Sequence, residues 1–290
     1  MVLGSPYSVG RHAQQAEVLT ANVGFFRETA SKFDAYESHM FDQEMQQTLE
    51  EDLSRIANRF VPSRGPIQCL DCGGGTGNLT LKMLKRGWTV TVVDISRDML
   101  TILEKKISER GYSATLVCNA VEDFLHSTTA TYDLISFSAV LHHLHSYLAV
   151  IDAAASRINH GGFFYTNLDP VRPPHPSLTR AFSTLDTILA KALFDPKDFL
   201  PGTARRLKKL FLKSDLSHQR PVVSLGDIAD YHAIGGIDPV PILELLRRQG
   251  FISECVKYAA GRTRVTKLLN RYVPLVQQFK ITAQRFSEPS

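Results

Sequence analysis

The sequence is poor in cysteine, in net charge and in long apolar runs, and each shortage argues against a class of protein. Four cysteines in 290 residues are too few for a disulfide-stabilised fold. Cys69 and Cys72 have the C-x-x-C spacing, but residues three apart on a strand point to opposite faces, so we predict no metal or redox site. No run of about 18 apolar residues occurs, so we predict no membrane span and a cytoplasmic protein. A net charge of +4 is too small to predict nucleic-acid binding.

What the sequence does contain is an alternation of short apolar runs and helical patterns. Strands are predicted at residues 67–72, 89–93, 114–118, 132–137, 163–167, 251–258 and 279–283. Helices are predicted between them, at residues 78–86, 97–110, 147–158, 242–248 and 265–272. This order argues for a doubly wound, mostly parallel sheet of the α/β class. We divide the chain into an N-terminal helical cap (1–62), a core (63–168), a helical insertion or lid (169–235) and a C-terminal part of the core (236–290).

A glycine-rich segment follows the first predicted strand and opens a helix. It reads DCGGGTG over residues 71–77. Glycine lets the backbone turn sharply and approach a ligand, and the free N–H groups of a helix start favour an anionic group. Asp94 ends the next strand, where a carboxylate can accept hydrogen bonds from ribose hydroxyls. The G-x-G-x-x-G/A pattern of dinucleotide sites is not matched, because Asn78 and Thr80 occupy its sixth position. This argues against a nicotinamide-dependent oxidoreductase.

The pattern Asp-x-Gly-x-Gly-x-Gly resembles motif I of the class I S-adenosylmethionine-dependent methyltransferases. Three later segments also resemble motifs of that family: DISRDML at residues 94–100, NAVED at 119–123 and YDLISFSAVLHHL at 132–144. The segment at 119 has asparagine where the family often has aspartate, but a neutral amide can still accept from an exocyclic amine. The resemblance covers residues 30–168 well and returns more loosely at 235–251.

The resemblance implies a Rossmann-like sheet of seven strands, the last one antiparallel, roofed by helices from residues 1–60 and 170–235. The implied cofactor is S-adenosylmethionine, with the ribose on Asp94 and the methionine part beside Ser138. The implied cofactor-binding residues are Asp71, Gly73, Gly75, Gly77, Asp94, Ile95, Met99, Asn119, Ala120 and Ser138. An aromatic residue of the first segment, Phe33 or Tyr36, either packs in the core or closes over the cofactor.

Three histidines are candidates for a general base. His142 and His143 follow the fourth strand, at the edge of the sheet where α/β proteins bind ligands. His232 is a candidate on the opposite wall. A neutral imidazole could take the proton of a hydroxyl acceptor near pH 7. The alternative is that these side chains only pack at a strand end.

The predicted lid carries the positive charge of the chain. Residues 171–220 contain ten basic and four acidic residues, whereas the whole chain has a net charge of +4. We predict a methyltransferase for a small-molecule acceptor, which could be anionic. One alternative is a lipid or macromolecular acceptor held by this lid, and another is a non-catalytic S-adenosylmethionine-binding regulatory protein. No nucleic-acid partner is expected, because the lid lacks the interleaved aromatics of a single-strand platform.

Overall fold

The computed structural model describes residues 7–36, 43–60, 65–173, 175, 178–179, 181–182, 185–186, 235–261 and 264–286. Most of the predicted lid therefore lies outside the described residues, as does His232. None of the described helices is long and apolar enough to cross a membrane.

Seven strands form one sheet. They are β1 (Gln68–Cys72), β2 (Thr89–Asp94), β3 (Thr115–Cys118), β4 (Tyr132–Ser138), β5 (Ile158–Pro170), β6 (Phe251–Ala259) and β7 (Gln277–Arg285). Their order in the sheet is β3-β2-β1-β4-β5-β7-β6. The pairs from β3 to β5 are parallel, whereas β7 runs antiparallel to both of its neighbours. This confirms the predicted seven-stranded, mostly parallel sheet with an antiparallel last strand.

Helices cover both faces of the sheet. They are α1 (Tyr7–Thr29), α2 (Phe33–Tyr36), α3 (Gln43–Ala57), α4 (Thr80–Lys85), α5 (Arg97–Glu109), α6 (Val121–Ser127), α7 (Tyr147–Ser156), α8 (Pro239–Arg248) and α9 (Arg264–Tyr272). One core cluster packs α3, α4 and α5 on one face of the sheet, and the other packs α6, α7 and α8 on the opposite face. Cys69 belongs to the first cluster and Cys72 to the second, so the two buried, free thiols do point to opposite faces.

Two elements differ from the sequence prediction. β5 begins at Ile158 rather than at residue 163. Gly161 and Gly162 lie inside this strand, whereas the sequence prediction placed them between a helix and the strand. A Cβ on Gly162 would lie 2.8 Å from the carbonyl oxygen of Asp133, so glycine permits the close approach of β4 there. Helix α6 was not predicted, since its seven residues bury only Val121 and Leu125, which is too little for a recognisable periodicity.

A buried ionic cluster ties α3 to the sheet. The carboxylate of Asp52 is 2% exposed and accepts hydrogen bonds from Lys280 Nζ at 2.7 and 2.9 Å and from Tyr165 Oη at 2.9 Å. Arg55 approaches the same carboxylate from the surface. Burial, followed by the neighbouring charge of Asp52, raises the pKa of Tyr165 well above its usual value, so the phenol remains a donor. We refer to Asp52, Tyr165 and Lys280 as the Asp52 cluster.

Candidate active site

A pocket lies at the carboxyl ends of the central strands, where the strand order reverses between β1 and β4. It encloses about 1040 Å³, including its opening to solvent. Nine of the predicted site residues line it: Asp71, Gly73, Gly75, Asp94, Ile95, Met99, Ala120, Ser138 and His143. Gly77, Asn119 and His142 are close in sequence to lining residues but do not line the pocket themselves.

The glycine-rich loop after β1 contains glycines with two different functions in the structure. Gly75 has a φ of +52°, and a Cβ added there would meet no atom within 4 Å, so the residue leaves open space in the pocket. Gly77 has a φ of +94°, and a Cβ there would overlap Leu103 of α5. Gly75 therefore makes room for a ligand, whereas Gly77 lets the loop pack against a helix.

Asp94, at the end of β2, is fixed by the backbone around it. Its Oδ2 accepts a hydrogen bond from Gly75 N–H at 2.8 Å, and its Oδ1 accepts one from Ser96 N–H at 2.8 Å. The residue is 7% exposed, and burial raises its pKa while the two backbone hydrogen bonds lower it. A carboxylate has about four acceptor positions, so each oxygen can still accept a ligand hydroxyl. The carboxylate is thus held rigidly at the pocket wall with acceptor capacity remaining.

Asp71 forms part of the pocket floor. Thr80 Oγ1 donates to its Oδ2 at 2.6 Å, and Ser136 Oγ donates to its Oδ1 at 2.8 Å. Burial raises the pKa of Asp71 to about 6, and the charge of Asp94 adds to this effect against the two hydroxyl hydrogen bonds. Since both oxygens already have partners from the protein, Asp71 also orients the strand ends around it.

The side chain of Asn119 binds the backbone of the next residue. Its Oδ1 accepts a hydrogen bond from Ala120 N–H at 2.9 Å, and its own N–H donates to the carbonyl of Asp94 at 3.1 Å. Ala120 then lines the pocket together with Val121 and Glu122 at the start of α6. Asn119 therefore fixes the part of the pocket wall that Ala120 forms.

The end of β4 carries an unpaired polar atom and a strained turn. Ser138 Oγ is buried and has no hydrogen-bond partner in the structure. Ala139 has a φ of +57°, a left-handed conformation that is uncommon without glycine. Its N–H donates to the carbonyl of Asn167 at 2.8 Å. This turn places Val140 and a 3₁₀ turn, Leu141–His143, beside the pocket. Strain of this kind tends to occur at functional sites.

The two neighbouring histidines have different surroundings. His142 Nδ1 lies 2.8 Å from Oδ1 of Asp169, a carboxylate that is fully buried and also accepts from Thr166 Oγ1 at 2.9 Å. Because a carboxylate can only accept, Nδ1 of His142 carries a proton. His143 lines the pocket. The centroid of its ring lies 4.0 Å from the ring centroid of His142 and 5.3 Å from that of Phe26. Of these two candidates for a base, His143 faces the pocket and His142 is held by Asp169.

Helix α1 and the start of α2 cover the pocket from above. The residues they contribute are Gln15, Val18, Leu19, Asn22, Phe26 and Phe33. Asp34 connects this cover to the glycine-rich loop and to α5, since it accepts from Thr76 Oγ1 at 2.5 Å and pairs with Lys106 Nζ at 2.6 Å. Phe33 lines the pocket, while the side chain of Tyr36 is outside the described part. Asn22 was missed by sequence reasoning, because one amide in a helix gives no signal.

The charges on the described part of the pocket wall are of one sign. Among the described residues that line it, three are carboxylates and none is a lysine or arginine; the carboxylates are Asp71, Asp94 and Glu122. Burial raises the pKa of each of them, so each would be stabilised by a positive charge in the pocket. A cationic ligand with a hydroxylated sugar fits this wall, because Asp94 can accept from hydroxyls and Gly75 leaves the backbone uncovered.

Comparisons with known proteins show which family the chain belongs to. A protein family described as a methyltransferase domain matches residues 41–185, which is half of the chain. The ubiquinone biosynthesis O-methyltransferase of Vibrio parahaemolyticus is 33% identical over 99 residues, which are 33% of this chain and 42% of that protein. The match thus spans less than half of the length of that relative.

Solved structures resemble the chain over most of its length. The magnesium protoporphyrin IX methyltransferase of Synechocystis PCC 6803 with bound S-adenosylhomocysteine has a TM-score of 0.55 at 16% identity, covering 92% of this chain and 99% of that one. The N-methyltransferase NodS of Bradyrhizobium japonicum WM9, in complex with the same compound, has a TM-score of 0.53 at 14% identity, covering 91% and 98%. At such identities the likeness shows the fold alone. The family match confirms the predicted family: the chain belongs to the methyltransferase domain family, and its sheet has the Rossmann-like fold predicted from the resemblance to the class I methyltransferases.

Proposed function

We propose that the protein transfers the methyl group of S-adenosylmethionine to a small-molecule acceptor. The observation that carries this proposal is the described part of the pocket wall, which combines an open glycine, a rigidly held carboxylate and two further acidic side chains. A sulfonium nucleoside meets all three features, because it has ribose hydroxyls for Asp94, a positive charge and a shape that needs the space at Gly75. The other predicted cofactor residues that line the pocket, Ile95, Met99 and Ala120, would enclose the base and the sugar.

The bound sulfonium supplies an electrophilic methyl group, which is the difficult part of the chemistry. The residues of the chain then have to hold two molecules in line and keep water out. Well-oriented intramolecular reactions gain up to roughly 7–11 kcal/mol from such placement. Helix α1 is suited to this task, since Val18, Leu19 and Phe26 form an apolar cover directly on the pocket.

The acceptor that fits best is an apolar molecule with a hydroxyl group. Val140 and Leu144 add apolar surface beside His143, and the relative from Vibrio parahaemolyticus is named as an O-methyltransferase. His143 is the proposed base for the hydroxyl proton. His142, fixed by Asp169, would hold the His143 ring in place through the contact between the two rings.

The test is transfer of a radiolabelled methyl group to a panel of small phenols, catechols, amines and carboxylic acids. We expect a labelled phenol or catechol product, and a fall in turnover of about 10²-fold or more for His143→Ala. The affinity for S-adenosylhomocysteine should change little, because the base does not hold the cofactor. Unchanged turnover would remove His143 from the mechanism, and absence of any product across the panel would favour the non-catalytic alternative.

A lipid or macromolecular acceptor is the second alternative, suggested by the basic residues between 171 and 220. Salt dependence separates it from the small-molecule proposal. Binding of a polyanion weakens steeply as the salt concentration rises, because counterions are released, whereas binding of a neutral small molecule does not. A flat salt profile for the acceptor KM is therefore expected.

A further inference from the structure

Two asparagine amides that line the pocket each have one buried polar atom without a hydrogen-bond partner. These atoms are Oδ1 of Asn22, on α1, and Nδ2 of Asn78, which follows the glycine-rich loop. A buried polar atom without a partner destabilises the fold, so such atoms are rare in native proteins unless a ligand or water binds to them. Sequence motifs assigned neither residue to a role.

The orientation of the Asn22 amide is fixed by its neighbour. Its Nδ2 donates to the backbone carbonyl of His143 at 3.2 Å. A carbonyl oxygen can only accept, so the amide cannot turn over without placing two oxygens against each other. The side chain is 6% exposed. The atom left without a partner is therefore an acceptor, and it can be satisfied only by an N–H or O–H donor.

The Asn78 amide is fixed in the opposite sense by a chain of hydrogen bonds. Lys82 Nζ, which can only donate, binds Oε1 of Gln46 on α3. Nε2 of Gln46 then donates to Oδ1 of Asn78 at 2.8 Å. The atom left on Asn78 is consequently its Nδ2 donor, which can be satisfied only by an acceptor.

We propose that Asn22 and Asn78 bind the two charged ends of an α-amino acid group: Asn22 Oδ1 accepts from the ammonium, and Asn78 Nδ2 donates to the carboxylate. The inference rests on the proposed function, in which the methionine part of S-adenosylmethionine supplies that zwitterion. None of the described residues lining the pocket is a lysine or arginine, and Asn78 offers a neutral donor that is unpaired among them, so it can meet the ligand's carboxylate. Ser138 Oγ, also unpaired on the same wall, can serve the ammonium as a second acceptor.

The experiment uses three ligands that lose the charged ends one at a time. S-adenosylhomocysteine has both the ammonium and the carboxylate, its decarboxylated analogue S-adenosyl-3-thiopropylamine keeps only the ammonium, and 5′-methylthioadenosine has neither. Calorimetry on the full chain gives the Kd of each ligand for the native protein, for Asn22→Leu and for Asn78→Leu. Asn58→Leu, which alters an exposed asparagine outside this pocket, is the matched control.

Asn22→Leu should raise the Kd of S-adenosylhomocysteine and of the amine by about ten-fold or more, and leave that of 5′-methylthioadenosine within about two-fold. Asn78→Leu should weaken S-adenosylhomocysteine alone. Equal losses for all three ligands would indicate a general disturbance of the pocket and overturn the proposal, as would unchanged affinity for S-adenosylhomocysteine. If a leucine variant does not fold, the alanine variant at the same position gives the same comparison. A native protein that binds none of the three ligands would instead contradict the proposed function.

Discussion

The pocket and the Asp52 cluster are both buried and polar, yet they differ in whether their polar atoms are paired. In the Asp52 cluster, the carboxylate, the ammonium of Lys280 and the phenol of Tyr165 satisfy one another. On the pocket wall, Asn22, Asn78 and Ser138 each keep one buried atom without a partner among the described residues. Buried polar groups that stabilise a fold are expected to be fully hydrogen-bonded, so we infer that a ligand provides the partners of the unpaired atoms in the pocket.

The largest effect is expected on stability, from a substitution in the Asp52 cluster. Asp52→Ala would leave the mostly buried ammonium of Lys280 without its counter-charge and should lower the free energy of unfolding by about 3–5 kcal/mol. Urea unfolding measures this loss. Arg55→Ala is the matched control, because Arg55 binds the same carboxylate from the surface with 56% of its side chain exposed, and it should cost less than about 1 kcal/mol. Similar losses for the two variants would show that burial does not distinguish these contacts.

The next largest effect is expected from filling the open space in the pocket. Gly75→Val should weaken the binding of S-adenosylhomocysteine by about 100-fold or more, close to 3 kcal/mol, because its side chain would occupy the ligand space. Gly111→Val is matched in backbone strain, since Gly111 also has a positive φ and no atom within 4 Å of an added Cβ, but it lies outside the pocket. Both variants should lose similar stability, and only the first should lose binding. Normal binding by folded Gly75→Val would place the ligand elsewhere.

Removing the carboxylate of Asp94, which is predicted to bind the ribose, should have a smaller effect on binding. Asp94→Ala is expected to weaken S-adenosylhomocysteine by about 1–3 kcal/mol, as when a charged hydrogen-bonding partner is lost. The control is Asp98→Ala, a half-exposed carboxylate on α5 that pairs only loosely with Arg27, at 3.9 Å. Calorimetry should find an unchanged Kd for the control. An unchanged Kd for Asp94→Ala would refute the assignment of the ribose to this residue.

The smallest effect concerns pH and the floor of the pocket. The pKa of Asp71 is raised to about 6 in the folded protein, against 3.8 for an ordinary aspartate. The unfolded chain therefore releases this proton at lower pH than the folded one, and the contribution of Asp71 to stability is lost as the pH rises through 6. Between pH 5 and 7.5 the loss is about 1–1.5 kcal/mol at 1.36 kcal/mol per pKa unit.

Asp71→Asn removes this titration. We measure the free energy of unfolding in urea at pH 5 and at pH 7.5. The value for the variant, relative to that of the native protein, should rise by that amount between the two pH values. Asp98→Asn, whose carboxylate is half exposed, provides the comparison. Parallel pH profiles for the native protein and Asp71→Asn would show that burial does not hold this carboxyl in its protonated form.

The sequence was sufficient for the sheet and for one wall of the site. The parallel, doubly wound sheet follows from the alternation of elements, and Asp94 was singled out because it ends β2 at a fixed distance from the glycines. These signals are local, since they depend on spacing within one strand-turn-helix unit. In the structure His143 follows β4 and lines the pocket, and its role as a base stays a prediction.

The polar details of the pocket cover could not be read from the sequence. Asn22 matters because its amide meets the carbonyl of His143, which is 121 residues away in the chain. The same holds for the partner of His142, since Asp169 belongs to β5 and nothing in the spacing links the two. Whether a buried polar atom has a hydrogen-bond partner depends on the assembled fold, so no local sequence pattern can predict it.

The most direct measurement is calorimetric titration of the native protein with S-adenosylmethionine, S-adenosylhomocysteine and NAD. Both sulfur compounds should bind, with Asp94→Ala weaker than Asp98→Ala for each, and NAD should give no heat of binding. Tight binding of NAD, with no heat from either sulfur compound, would contradict the assignment of this pocket to a methyl-donor nucleoside.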